Sequence, residues 1–135
     1  MTRKARSFCQ GELWAYRTRP GEEASTVLIN RIDADATLGQ IFHISLTAVK
    51  IKNARASGGT TSTVAHLPVS QETLEKSLTK RIGTAPINAD YLDGYGQWRR
   101  AFDQGEAGIF SIDVAEIVSF LETAFIGTSD ANTDS

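Results

Sequence analysis

Cysteine is all but missing from this chain: Cys9 is the only one among 135 residues. One thiol cannot close an intrachain disulfide, so the fold must rest on a buried core, and a reducing, cytoplasmic setting is the expectation. Long apolar runs are missing too. None approaches the ~18 residues that would suggest a membrane span. The first residues are basic (Arg3, Lys4, Arg6), but no apolar segment follows them, so no signal peptide is expected. Charge of one sign does not dominate. The net charge is −2, so no global basic field invites nucleic acid or a lipid surface.

The usual signatures of chemistry are absent as well. His43 and His66 stand in no HxxxH or HxH spacing and there is no CxxC, so no metal site is expected. No GxSxG and no cysteine-centred motif supports nucleophilic catalysis. Ser57-Gly58-Gly59-Thr60-Thr61 is glycine-rich, yet it lacks the GxxxxGK[ST] frame of a phosphate cradle, and no GxGxxG occurs. No cofactor is expected.

What is present suits one globular domain. The hydrophobic fraction is 41% and the charged fraction 22%, ordinary values for a chain that buries a core. Charge is unevenly placed. Residues 1–67 carry nine Lys/Arg against five Asp/Glu, and 68–135 carry five against eleven. A basic first half and an acidic second half result.

The stretch Phe8 to Ile32 organises the rest. Two runs rich in aromatic and β-branched residues, Leu13–Thr18 and Thr26–Ile32, flank Arg19-Pro20-Gly21-Glu22-Glu23. Such residues fit a pleated, half-buried surface. Pro20-Gly21 fits a type II turn, where Pro presets φ and Gly accepts φ > 0. A hairpin with a protruding tip follows, decorated by Arg17, Arg19, Glu22 and Glu23. Cys9 beside Phe8 reads as a small buried hydrophobe.

Gln40–Leu46 alternates cleanly as a strand, with Phe42, Ile44 and Leu46 on one face and Ile41, His43 and Ser45 on the other. Val49 and Ile51 continue the alternation. Residues 53–63 read as a small polar loop, and Val64–Leu67 as a short strand. Ser70 is a good N-cap for a helix over Gln71–Ile82 with the stripe Leu74, Leu78, Ile82, ended by Gly83. Tyr91, Tyr95, Trp98 and Phe102 repeat at helical spacing within 90–104, with the firm part beginning at Tyr95 because Gly94 and Gly96 weaken the front. Residues 107–112 read as a buried strand. Asp113 and Glu116 match a capping box, and Val114, Ile117, Val118, Leu121 and Phe125 form an amphipathic helix that Gly127 ends.

Strands followed by helices mean α+β. The expectation is a bent antiparallel sheet of four to six strands, in the manner of an SH3-like half-barrel, with about three helices packed on one face or end of it and the C-terminal helix in the core. The domain plan is a flexible arm over 1–7, one domain over 8–126 and a disordered tail over 127–135.

The functional expectation is a non-enzymatic protein-binding or regulatory module. Its contact residues would be Trp14, Tyr16, Arg17, Arg19, Glu22, Glu23, His43, Trp98 and Arg99. The alternative is a nucleic-acid binder in which Trp14, Tyr16 and Phe42 share a face with the basic N-terminal arm and with Arg17, Arg19, Arg31, Lys50, Lys52 and Arg55. A third reading is an enzyme, which requires His43 or His66 to meet a carboxylate.

The segments GELWAYRTRPGEE, IFHISLTAVKIKN, HLPVSQETLEKS and WRRAFDQGEAGIFSIDVAEIVSFLE resemble those of small uncharacterised bacterial proteins over about residues 8–125. The resemblance implies a bacterial, cytosolic origin and assigns no residue a role. In size and acidity the chain is also similar to the immunity proteins of toxin systems, without a shared motif.

Overall fold

A computed structural model describes residues 7–54 and 56–133; the side chains of Ser57 and of 125–133 are outside the description. The fold is α+β, with a five-stranded antiparallel sheet, a small second sheet and three α-helices. The strands are β1 (Glu12–Tyr16), β2 (Thr26–Asp35), β3 (Gly39–Thr47), β4 (Ile51–Lys52), β5 (Thr60–Thr61), β6 (Val64–Ser70) and β7 (Leu78–Thr84). The helices are α1 (Gln71–Ser77), α2 (Tyr91–Asp103) and α3 (Val114–Thr133). The main sheet runs β6-β3-β2-β1-β7, and β4 pairs with β5.

The expected hairpin forms, with Leu13 opposite Leu28 and Trp14 opposite Val27. Gly21 has φ +89°, the left-handed value that the turn after Pro20 requires. Alternation then sorts the sheet's side chains onto two faces. One face carries Trp14, Tyr16, Val27, Ile29, Phe42, Ile44, Leu46, Leu67 and Val69, which pack with Leu74 of α1 and with Val114, Ile117 and Val118 of α3 into a single core. The C-terminal helix thus lies in the core as its apolar pattern demands. The other face carries His43 and His66, whose rings meet Tyr95 and Trp98 of α2. Helices therefore cover both faces of the sheet rather than one face or end.

Several elements depart from the sequence reading. The helix expected over Gln71–Ile82 stops at Ser77. Its N-cap is as expected, Ser70 Oγ accepting the Thr73 N–H. Its C-terminus is pinned instead of extended: the Ser77 carbonyl accepts the Arg17 N–H, and Ser77 Oγ accepts the Val114 N–H. Leu78 turns extended and the chain becomes β7, because pairing with β1 satisfies a full strand of backbone groups. Ile82 consequently stands exposed.

Residues 107–112 make only an isolated bridge, Val69 to Phe110. Pro68 offers no N–H to extend a ladder, and the Thr73 hydroxyl takes the Phe110 and Ile112 carbonyls. The loop expected over 53–63 holds a 3₁₀ turn, Ser57–Gly59, and β5. Helix α3 continues past Gly127 to Thr133; an interior glycine costs only about 1 kcal/mol. Of the expected arm, residues 1–6 lie outside the described residues, as do Arg55 and the last two positions of the expected tail. Cys9 is exposed, not a core residue, because Phe8 takes the inward position against Trp14 and Phe42.

Candidate functional site

The hairpin tip does not protrude; it is folded against α3. The Arg19 guanidinium donates through Nε to Glu22 Oε1 and through Nη2 to Glu22 Oε2, both at 2.9 Å. Its Nη1 donates to Glu122 Oε1 at 3.0 Å. Glu22 Oε2 also accepts the Lys50 N–H at 2.6 Å, and Glu122 Oε2 the Lys52 N–H at 2.8 Å. Glu22, expected as a surface decoration of the tip, is 2% exposed. A buried carboxylate is stable only when its lone pairs are used, and here Arg19 and a backbone donor use them. Hydrogen bonding to Arg19 holds the Glu22 carboxyl below its ordinary range against the opposing effect of burial. Arg17 and Glu23 remain exposed.

This bracing leaves a groove of about 620 Å³ between the tip and the first turns of α3, lined by Pro20, Ile112, Ala115, Glu116, Ser119 and Phe120 among others. Ile112 is 40% and Phe120 56% exposed. The rim carries Asp113 and Glu116; among the described residues neither has a cationic partner. A second, more polar groove of about 540 Å³ lies beside Leu38, Gln71 and Ile109.

The remaining expected site residues divide. Trp14 and Tyr16 are buried on the α3 face, where Tyr16 Oη bonds Ser25 Oγ at 2.7 Å. Phe42 is buried beside them, so these three rings offer no exposed faces for stacking bases. His43, Trp98 and Arg99 lie across the sheet, where the structure brings them together with Arg31 of the alternative basic face, with His66 of the enzyme reading, and with Asp33 and Tyr95, which the sequence reading did not single out as contacts.

That cluster is a chain of hydrogen bonds. Asp33 Oδ2 is 3.0 Å from His43 Nε2, and His43 Nδ1 is 2.9 Å from His66 Nε2. Asp33 also accepts from Tyr95 Oη at 2.9 Å and from Arg31 Nε at 2.8 Å, with Arg99 Nη1 at 3.8 Å. The tautomers follow. Beside a carboxylate, His43 Nε2 carries the proton, so Nδ1 must accept and His66 Nε2 must donate. His66 Nδ1 is left as an acceptor facing Gly94, 3.4 Å from where a Cβ there would stand. Burial pushes His43 below the ordinary imidazole range although Asp33 opposes it. Burial, with His43 adjacent, pushes His66 down to about 4. Burial opposes ionisation of Asp33, but the bonds from Arg31 and Tyr95 keep its carboxyl below the usual range.

The pattern of the strands contained part of this cluster. Arg31 and Asp33 are alternate residues of β2, and Arg31 pairs with His43, so a hairpin register would have placed them together. The approach of His66 depends on β6 joining β3, which no local signal encodes. His43 has no exposed surface, and neither groove is lined by either histidine. Among the described residues, no three His, Cys, Asp or Glu side chains are arranged to hold a metal ion. No described helix is long and apolar enough to cross a membrane.

Comparison with known proteins finds no family model, no curated protein and no solved structure that matches this chain.

Proposed function

We propose that this chain is a non-enzymatic protein-binding module that docks a partner in the groove between the hairpin tip and α3. The observation that carries this reading is the exposure of Ile112 and Phe120 side by side with Pro20 on a wall bolted in place by Arg19, Glu22 and Glu122. Large apolar side chains left in water around a concavity mark interaction sites. A preformed wall lowers the ordering cost of association. The rim is acidic, since Arg19 is spent on its two glutamates while Asp113 and Glu116 are not neutralised. The occupant is therefore a segment of a partner protein with an apolar anchor flanked by Lys or Arg. A cytoplasmic setting and an inhibitory role of the immunity type, in a bacterial host, belong to the same proposal; the single cysteine supports the first and the small acidic chain the second.

The test is affinity capture with the wild-type chain and Phe120→Asp in parallel, followed by reconstitution with the purified captured protein. One stoichiometric partner retained by the wild type, bound in reconstitution and lost by the variant supports the reading. No stoichiometric partner, or the same partner bound equally by both, refutes it.

A further inference from the structure

We infer that the histidine pair under α2 is an acid-operated latch: protonation of the pair releases α2 from the sheet while the α3 core stays folded. The geometry of the chain sets how it works. The cluster has one carboxylate, Asp33, already facing the guanidinium of Arg31 from β2 and that of Arg99 from α2. Arg31 also lies over the Tyr95 ring at 4.5 Å, and Arg99 is shared with Asp103. Tyr95 from α2 donates to Asp33 and is neutral; the Tyr91 hydroxyl lies beside Arg31. His43 from β3 and His66 from β6 complete the inventory. With both imidazoles neutral, Asp33 and Asp103 only balance the two guanidiniums, and each added proton creates a positive excess in a half-buried space.

The first proton has a place to go. His66 Nδ1 is the free acceptor of the chain, and it can be charged while Nε2 still donates to His43. A second proton at His43 Nδ1 sets two N–H groups against each other across 2.9 Å, and that bond must break. Helix α2 bears the consequence because its backbone rests on the pair. A Cβ at Gly94 would stand 2.9 Å from the Cβ of His66, and Tyr95 and Trp98 pack edge-on against His43. The α3 side shares none of these groups; its core is apolar. The low affinity of His66 for protons in the closed state, about 4 against an ordinary 6.5, makes acid favour any state that returns it to water.

Amide hydrogen exchange of the whole chain between pH 7.5 and 5, corrected for intrinsic rates, tests this. Linkage from the His66 values makes release of α2 about thirtyfold more frequent at pH 5 than at pH 7.5. Protection of residues 91–103 is expected to fall by that factor, with residues 114–121 and β3 unchanged. Loss of protection in α2 and α3 together, or no selective loss in α2, overturns the inference. His66→Gln keeps an N–H donor for His43 and removes the titration of His66, the group that sets the roughly thirtyfold factor. It is expected to lose much less α2 protection than the wild type over the same range, provided its circular dichroism at pH 7.5 matches the wild type. A matching variant that loses α2 protection as the wild type does also overturns it. If that variant does not fold, the wild-type profile alone decides.

Discussion

His66 Nε2 donates to His43 Nδ1 at 2.9 Å, while the rings lie nearly parallel, 14° apart. A proton-poor pair of this kind makes stability depend on pH in a definite direction. His66 has a lowered affinity for protons in the folded state, about 4 against 6.5, so between those values the unfolded chain binds more protons than the folded one. Stability is then full above about pH 6.5 and is lost as pH falls toward 4. The change is about 3 kcal/mol for this group. Denaturant titrations at pH 7.5 and 4.5 check it, and His66→Gln should shrink the difference by about that amount.

Gly94 is required by contact rather than by backbone angle. Placing alanine there should raise helix propensity by about 1 kcal/mol. The new methyl carbon, however, meets His66 Cβ at 2.9 Å, and forced overpacking costs about 1–3 kcal/mol. Gly94→Ala should therefore destabilise the protein, whereas Gly96→Ala, whose nearest neighbour is the Arg100 guanidinium at 3.8 Å, should be neutral or stabilising. Thermal melts of the two variants decide between these signs.

Arg19→Leu removes the partner of a carboxylate that is 2% exposed. Glu22 keeps the Lys50 N–H but loses both charged donors, a loss of about 1–3 kcal/mol. The double variant Arg19→Leu/Glu22→Gln should recover part of that loss because the buried carboxylate is gone, while the more exposed Glu122 keeps the Lys52 N–H. A double-mutant cycle measures the coupling.

Thr73 is buried, and its hydroxyl lies 3.1 Å from the Phe110 carbonyl and 2.8 Å from that of Ile112. Thr73→Val leaves the Ile112 carbonyl without its donor, while that of Phe110 keeps the Ser70 N–H, and should cost about 1–3 kcal/mol. Because Ile112 lines the groove, partner binding should weaken as well, although Thr73 itself does not line it.

The parts of the fold that could be read from sequence were those whose cause is local. Pro20-Gly21, the alternation through Phe42, Ile44 and Leu46, and the spacing of Val114, Ile117 and Val118 each name an element and its inward face. The parts that could not be read depend on distant partners. Nothing near Leu78 says that β1 waits to pair with 78–84, so the stripe Leu74, Leu78, Ile82 reads as helix. Glu22 reads as a solvated tip residue because its partners, Lys50 and, through Arg19, Glu122, come from remote segments. Gly94 reads as a weakness in α2 until His66 is seen beneath it. The groove escapes sequence reading for the same reason: Pro20, Ile112 and Phe120 come from three separate parts of the chain.

Amide chemical-shift mapping with the captured partner measures most directly where this protein binds. The perturbed amides are expected to gather at residues 18–19, 112–116 and 119–123, with β6 and α2 unmoved. Perturbations gathered instead on α2 and β6 around His66, with the groove silent, would contradict that expectation.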